Sequence, residues 1–185
     1  MATAAFPTVH ERKRISEVIL GAEWKQGKTW SVFIGRIALG FLFLWSASQK
    51  VLTELGGKMA TSGFLSGPSV ASGPLAGFFN SLSGNLAVEY LVVYGELLVG
   101  VALLFGIFTR VGAIGGALLM LLFTVAMWPI ADTAGANPLV DFRVIYGALL
   151  MMFFFLRPGL FLGVDGPIEN TSFVEKHPRL RLLLG

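Results

Sequence analysis

The sequence predicts an all-α integral membrane protein, a four-helix bundle with both termini in the cytoplasm and an amphipathic helix at the interface before the first span. Hydrophobic residues make up 55% of the 185 positions and charged residues only 14%, which is too apolar for a soluble domain of this size. Four stretches also approach the length of about 20 apolar residues that a helix needs to cross a bilayer.

Residues 1–29 are predicted to form a cytoplasmic arm. Apolar residues recur there at the spacing of one helix face, between basic residues, which indicates a helix lying in the membrane interface. These residues are Ile15, Val18, Ile19 and Ala22. A poorly ordered basic arm is the alternative. No pattern of a cleaved signal peptide precedes the first long apolar run.

Residues 30–157 are predicted to form a single membrane domain, followed by a cytoplasmic tail over residues 158–185. Thr109 and Arg110 leave room only for a tight turn between the second and third spans. Arg157, Pro158 and Gly159 end the fourth, because proline and glycine interrupt a helix. The predicted spans are residues 30–51, 86–108, 111–130 and 139–156.

The positive charges predict the orientation. In a four-span bundle, one side carries the basic residues of the arm, of the turn between the second and third spans, and of the tail. The loops on the opposite side hold only Lys58 clear of the spans. Because cytoplasmic loops are enriched in Lys and Arg, both termini are expected in the cytoplasm. The basic residues form no continuous run with interleaved aromatics, so nucleic acid is not an expected partner.

The long outer loop, residues 53–85, is rich in Gly, Ser and Pro and carries no charge between Lys58 and Glu89. Within it an apolar face recurs at helical spacing, which predicts that the loop lies on the outer leaflet or folds back over the bundle. Both a functional lid and a passive interfacial loop are consistent with this pattern. The face consists of Leu75, Phe78, Phe79 and Leu82.

Four ionisable residues fall on two neighbouring helix faces inside the membrane. Arg36 and Lys50 share one face of the first span, and Glu89 and Glu96 share one face of the second. At 1.5 Å per residue Glu96 lies about 10 Å deeper than Glu89, so the depths predict a pair between Glu89 and Lys50. Glu96 would then either reach Arg36 or remain a neutral acid, because burial without a partner penalises the charged form.

A mixed-sign cluster is expected at the outer mouth of the bundle, where the fourth span begins. It is interpreted either as a site for a substrate, a quinone or an ion, or as a structural cap of ion pairs. The cluster comprises Lys50, Glu54, Glu89, Asp141, Arg143 and Tyr146.

Gly112 and Gly116 form a GxxxG step in the third span, which is typical of close helix packing.

The chain lacks the usual side chains for binding a redox centre. It has no cysteine, and its two histidines, His10 and His177, lie in the predicted cytoplasmic segments. A metal site, a Cys-ligated cluster or a bis-histidine haem within the bundle is therefore not expected. No nucleotide-binding or zinc-protease motif occurs. If electrons pass through this protein, a bound quinone or a partner subunit must carry them.

Several segments together resemble the DoxX/DoxD family of four-helix membrane proteins. They are GRIALGFLFLWSASQK in the first span, GELLVGVALLFGIFTR at the second turn, LRPGLFLGVDG after the fourth span, and the uncharged loop followed by Glu89 and Tyr90. Many members have an acidic residue followed by histidine near the start of the fourth span. This chain has Asp141, Phe142 and Arg143 there.

The resemblance implies a protein of the prokaryotic plasma membrane. One branch, DoxD, is a subunit of thiosulfate:quinone oxidoreductase, which oxidises thiosulfate to tetrathionate and passes the electrons to quinone. Two hypotheses follow. The chain is a partner-dependent subunit of such a quinone-coupled system, or it is a non-catalytic accessory or scaffold subunit that stabilises a larger membrane electron-transfer complex.

Overall fold

The structure, a computed structural model, describes residues 27–71, 73–128 and 140–185, and no strand occurs in these ranges. Four long helices carry the fold, with five short helices in the outer loop and the tail. The long helices are α1 (Gly27–Leu55), α5 (Leu86–Phe105), α6 (Thr109–Ala126) and α7 (Phe142–Leu156). The short ones are α2 (Ala60–Leu65), α3 (Pro68–Ala71), α4 (Ala76–Ser81), α8 (Asp165–Glu169) and α9 (Ser172–Lys176). The predicted interfacial helix at residues 15–22 lies outside the described residues.

The long helices confirm the all-α membrane class. Three of them, α1, α5 and α6, are long and apolar enough to cross a membrane, whereas α7 is an apolar helix of 15 residues. Such a helix is about 22 Å long, less than the roughly 30 Å of a hydrocarbon core. It begins late because Asp141 caps it, accepting hydrogen bonds from the backbone N–H groups of Arg143 and Val144. The sides of the membrane on which the termini lie stay a prediction from the charges.

Helices α1 and α5 pack closely against each other along most of their length. A Cβ on Gly40 would lie 2.8 Å from the backbone nitrogen of Leu104, and a Cβ on Gly100 would lie 2.8 Å from that of Leu44. Residue numbers rise along α1 as they fall along α5, so the two helices are antiparallel. Glycine is required at both positions because any side chain would push the backbones apart.

The second half of the bundle forms around α6 and α7, and α5 joins it to α1. Gly112 and Gly116 lie where a Cβ would meet Ala102 and Val99 of α5, which confirms the packing interpretation of the GxxxG step. The bundle core consists of Leu39, Phe43, Val99, Leu103, Ala113, Leu119, Met120, Leu150 and Phe153.

The outer loop folds back over the bundle, one of its two predicted positions. Leu65, Val70 and Phe79 are buried against Ala126 at the end of α6 and form a second, smaller core. Only part of the predicted apolar face is covered, because Phe78 remains exposed. The loop is thus a packed cover on the outer end of the helices.

The opposite end of the bundle, where α5 turns into α6, is held by charged side chains bonded to backbone. The buried Asp165 carboxylate accepts hydrogen bonds from the backbone N–H groups of Phe108 (2.7 Å) and Thr109 (2.9 Å). The buried Arg36 donates to the carbonyls of Pro158 and Leu162, both at 3.0 Å. The segment that follows α7 is therefore tied to α1 and to the start of α6.

Candidate functional site

A cavity of about 230 Å³ lies in the outer half of the bundle, beneath the loop. All four long helices contribute to its wall, and α2 of the outer loop contributes Thr61 and Phe64. Most of the lining is apolar and aromatic, with a few polar groups, which is the usual composition of a small-molecule site. The polar lining residues are Ser46, Lys50, Thr61, Glu96, Arg143 and Tyr146.

An ion pair between Lys50 and Glu96 lies in the wall of the cavity. The Lys50 ammonium is 2.5 Å from each carboxylate oxygen of Glu96, and it also donates to the Ser46 hydroxyl at 3.2 Å. Ser46 in turn donates to Glu96 at 2.8 Å. Glu96 is almost fully buried, whereas the Lys50 side chain is 21% exposed. The carboxylate deep in α5 is therefore paired with the lysine of α1.

This pairing corrects the prediction from depth, which matched Lys50 with Glu89 and left Glu96 to Arg36 or to a neutral form. The Cα–Cβ bond of every helical residue tilts toward the N-terminus of its helix. On the antiparallel α1 and α5, Lys50 therefore leans inward while Glu96 leans outward, so the two side chains meet. For the same reason Arg36 leans away from Glu96, toward the Pro158 carbonyl.

Glu89 leans outward and bonds to the outer loop. Its carboxylate accepts hydrogen bonds from the backbone N–H of Thr61 (2.9 and 3.1 Å) and of Ser62 (3.2 Å). Glu89 is buried but does not line the cavity. It fixes α2, which brings Thr61 and Phe64 over the cavity.

Arg143 and Tyr146 enter the cavity from α7, as the sequence predicted for the outer mouth. Arg143 forms an ion pair with Asp141 and donates to the sulfur of Met127. Its guanidinium lies 5.0 Å from the centre of the Phe142 ring. Arg143, held by Asp141, thus places a guanidinium group in this wall of the cavity.

The residues of the predicted outer cluster lie around two separate pockets. Lys50, Arg143 and Tyr146 share the cavity, and Asp141 supports it through Arg143. Glu54 lies apart, in a separate shallow pocket of about 170 Å³ that Glu89 and Tyr90 also line. One carboxylate oxygen of Glu54 is buried without a hydrogen-bond partner among the described residues.

Two hydrogen-bond donors that line the cavity have unused capacity. The Thr61 hydroxyl and the Arg143 Nε are both buried and make no hydrogen bond within the part of the chain that the structure describes. A buried polar group without a partner costs about 1–3 kcal/mol. Both atoms lie just beneath the cavity surface, so a ligand with acceptor oxygens would satisfy them after a rotation of these side chains.

Ser46, Thr61 and most of the aromatic wall of the cavity were not predicted from the sequence. Ser46 lies one turn before Lys50 on the same face of α1, a signal that was present in the sequence. Thr61 and Phe64 had no such signal, because their position depends on how the loop folds. Phe123 of α6 packs edge-on against Phe64, with ring centres 5.6 Å apart, and the Lys50 ammonium lies 5.5 Å from its ring centre.

Within the described ranges, no group of three His, Cys, Asp or Glu side chains could hold a metal ion.

Comparison with known proteins gives one family. The DoxX family model matches residues 31–128, which cover α1, the outer loop, α5 and α6. No curated protein and no solved structure shows a significant match to the chain. The match covers more than half of the sequence, and the chain is accordingly a multi-pass membrane protein that belongs to the DoxX family.

Proposed function

We propose that this DoxX-family protein is the membrane subunit of a quinone-coupled oxidoreductase system, acting with a partner subunit, and that the outer cavity binds the quinone ring. The observation that carries the proposal is the pair of unused donors, Thr61 and Arg143, in an aromatic cavity. A quinone has two carbonyl acceptors on a flat apolar ring. Its chemistry therefore matches both the donors and the aromatic wall.

The paired charges beside the ring position suit proton transfer. Reduction of a quinone to a quinol takes up two electrons and two protons. Glu96, Lys50 and Ser46 form a continuous hydrogen-bonded chain. Lys50 is partly exposed, so it can exchange protons with water, while Glu96 accepts or returns a proton beside the cavity.

The electrons come from outside this chain, from a partner subunit. Thiosulfate is the proposed donor on the basis of the resemblance to the DoxD branch, and its oxidation to tetrathionate releases one electron from each of two thiosulfate ions. Lys50 and Arg143 are each paired with a carboxylate, so they act on a cavity ligand as hydrogen-bond donors and not as a net positive charge.

Binding of a short-chain quinone to the purified full-length chain in a neutral detergent tests the proposal. Thr61→Val removes the hydroxyl and keeps the shape of the side chain. It is expected to weaken binding about fivefold, the equivalent of one neutral hydrogen bond. Thr53→Val is the matched control, because Thr53 is exposed on α1 and bonds only the Gln49 carbonyl. Absence of saturable binding by the unaltered chain would contradict the proposal.

A non-catalytic accessory subunit is the second candidate function. It is favoured by the observation that Lys50, Ser46 and Glu96 satisfy one another without any ligand. Such a pair can serve only to join α1 to α5. Gentle extraction followed by identification of co-purifying chains distinguishes the two candidates. An accessory protein would bring a larger complex with it, and its copies would show no saturable quinone binding.

A further inference from the structure

A basic groove lies at the end of the bundle opposite the outer loop. It has a volume of about 640 Å³ and joins the start of α6, the end of α7 and the tail. Four arginines and one glutamate give it an excess of three positive charges. The groove is lined by Arg110, Arg157, Glu169, Asn170, Pro178, Arg179, Arg181 and Leu182.

Two of the four arginines, Arg157 and Arg181, have a structural role. Arg157 forms an ion pair with Glu169 at 3.1 Å and donates to the carbonyls of Arg181 (3.4 Å) and Leu184 (3.3 Å). Arg181 lies 4.0 Å from the same Glu169 carboxylate. These contacts hold the tail against the end of α7. The single carboxylate of the groove is therefore already shared between two arginines.

The other two arginines, Arg110 and Arg179, have no carboxylate partner among the described residues. The Arg110 guanidinium lies 4.4 Å from the centre of the Phe154 ring, which fixes its position. Its Nε is buried without a hydrogen-bond partner within the described ranges. Arg179 is exposed at the rim of the groove. A partly buried guanidinium that has no carboxylate partner is suited to a phosphate or a carboxylate.

The position of the groove indicates what kind of anion binds there. Arg110 and Arg157 mark the ends of two apolar helices, so the groove lies at the boundary of the membrane domain. Leu182 lines the groove and is 66% exposed, with exposed Leu183 beside it. An anion with an apolar tail would satisfy the arginines and cover these leucines at once.

We propose that this groove binds the phosphodiester of an anionic membrane lipid, with Arg110 and Arg179 contacting the phosphate and Leu182 contacting an acyl chain. Basic pockets between membrane helices are known to bind such head groups. The site is separate from the quinone cavity and does not depend on it. A soluble phosphate ion shares the anion chemistry but not the tail, so the experiment must separate the two sources.

Titration of the full-length chain in a neutral detergent with dioctanoyl phosphatidylglycerol tests the site, with binding followed by the change in melting temperature and by native mass spectrometry. Arg110→Gln and Arg179→Gln are each expected to weaken binding about fivefold, and the double variant about twenty-fivefold. Lys176→Gln is the matched control, because Lys176 is exposed on the same tail and does not line the groove. It should leave binding unchanged.

Three results would overturn the proposal. Equal weakening by Lys176→Gln would mean that diffuse surface charge attracts the lipid. Equal binding of the zwitterionic phosphatidylcholine analogue would remove the role of the net charge. Inorganic phosphate binding as tightly as the lipid would identify a soluble anion as the occupant. Should Arg110→Gln fail to fold, Arg179→Gln and the charge-preserving Arg179→Lys decide the outcome, because Arg179 is exposed.

Discussion

The two ends of the bundle use buried charges in different ways. At the inner end Asp165 and Arg36 are bonded mainly to backbone groups of a turn and a tail. At the outer end Lys50 and Glu96 are bonded to each other beside a cavity. A charge that satisfies backbone groups stabilises one chain conformation. A charge that is paired with another side chain at a cavity wall can exchange its partner for a ligand.

Burial alone therefore does not identify a functional charge in this membrane domain. Arg36 and Glu96 are both almost fully buried, yet Arg36 is bonded to backbone carbonyls and Glu96 lines a cavity that a ligand could enter. The partner of the charge and the space beside it are the useful criteria. Substitutions at three places in the bundle test whether the two ends behave as this comparison predicts.

The largest effect is expected at the inner end. Asp165→Ala removes the acceptor of the backbone N–H groups of Phe108, Thr109 and Gly185, and leaves the buried groups of Thr109 and Gly185 without partners. We expect the free energy of unfolding to fall by about 4 kcal/mol, because each unpaired buried donor costs about 1–3 kcal/mol. Chemical denaturation in detergent measures the loss. The folded fraction should bind quinone with unchanged affinity, and a loss of affinity without a loss of stability would contradict the comparison.

An effect of intermediate size is expected at the Lys50–Glu96 pair. Lys50→Met leaves the Glu96 carboxylate buried without its counter-charge and should lower the free energy of unfolding by about 3 kcal/mol. The double variant Lys50→Met, Glu96→Gln has no unpaired charge and should recover to within about 1 kcal/mol of the original stability.

Quinone binding by the same double variant gives the second measurement. If the pair is functional, the double variant is stable but binds quinone weakly or not at all. If the pair only joins α1 to α5, stability and binding recover together, which would favour the accessory role. The single variant Glu96→Gln serves as the control for removing the carboxylate alone.

The smallest effect is expected where Glu89 fixes the outer loop. Glu89→Gln keeps one acceptor oxygen but removes the charge, so the free energy of unfolding should fall by only about 1 kcal/mol. The change should be local. Hydrogen exchange of the backbone N–H groups of Thr61 and Ser62 should become faster, while the exchange of α6 stays unchanged. Equal acceleration in both regions would mean that Glu89 supports the whole bundle and not only the loop.

A large part of the fold was predictable from the sequence. The apolar runs predicted the long helices to within a few residues at most ends, and Gly112 and Gly116 predicted a close contact. The fourth helix is shorter than its apolar run, since the Asp141 side chain caps it at Phe142. The runs alone could not show this, because a cap depends on side-chain geometry and not on hydropathy.

The candidate site was predictable only in part. Arg143, Tyr146 and Lys50 were expected at the outer mouth and do line one cavity. Glu96 was expected to meet Arg36 or to stay neutral, because depth was counted along the Cα positions and the tilt of the side chains was left out. Thr61 was not anticipated at all, since nothing in a loop sequence shows which helix the loop will cover.

That this chain is a helical membrane protein follows from its sequence, because hydrophobicity and run length depend only on the order of residues. The ionisable groups that fall within the spans follow from the sequence as well. How those groups are paired depends on the packing of the helices. Antiparallel packing of α1 and α5 makes side chains from different depths lean toward each other, so Lys50 meets Glu96. The folding of the outer loop, which depends on long-range contacts with Ala126 and Glu89, then closes the cavity.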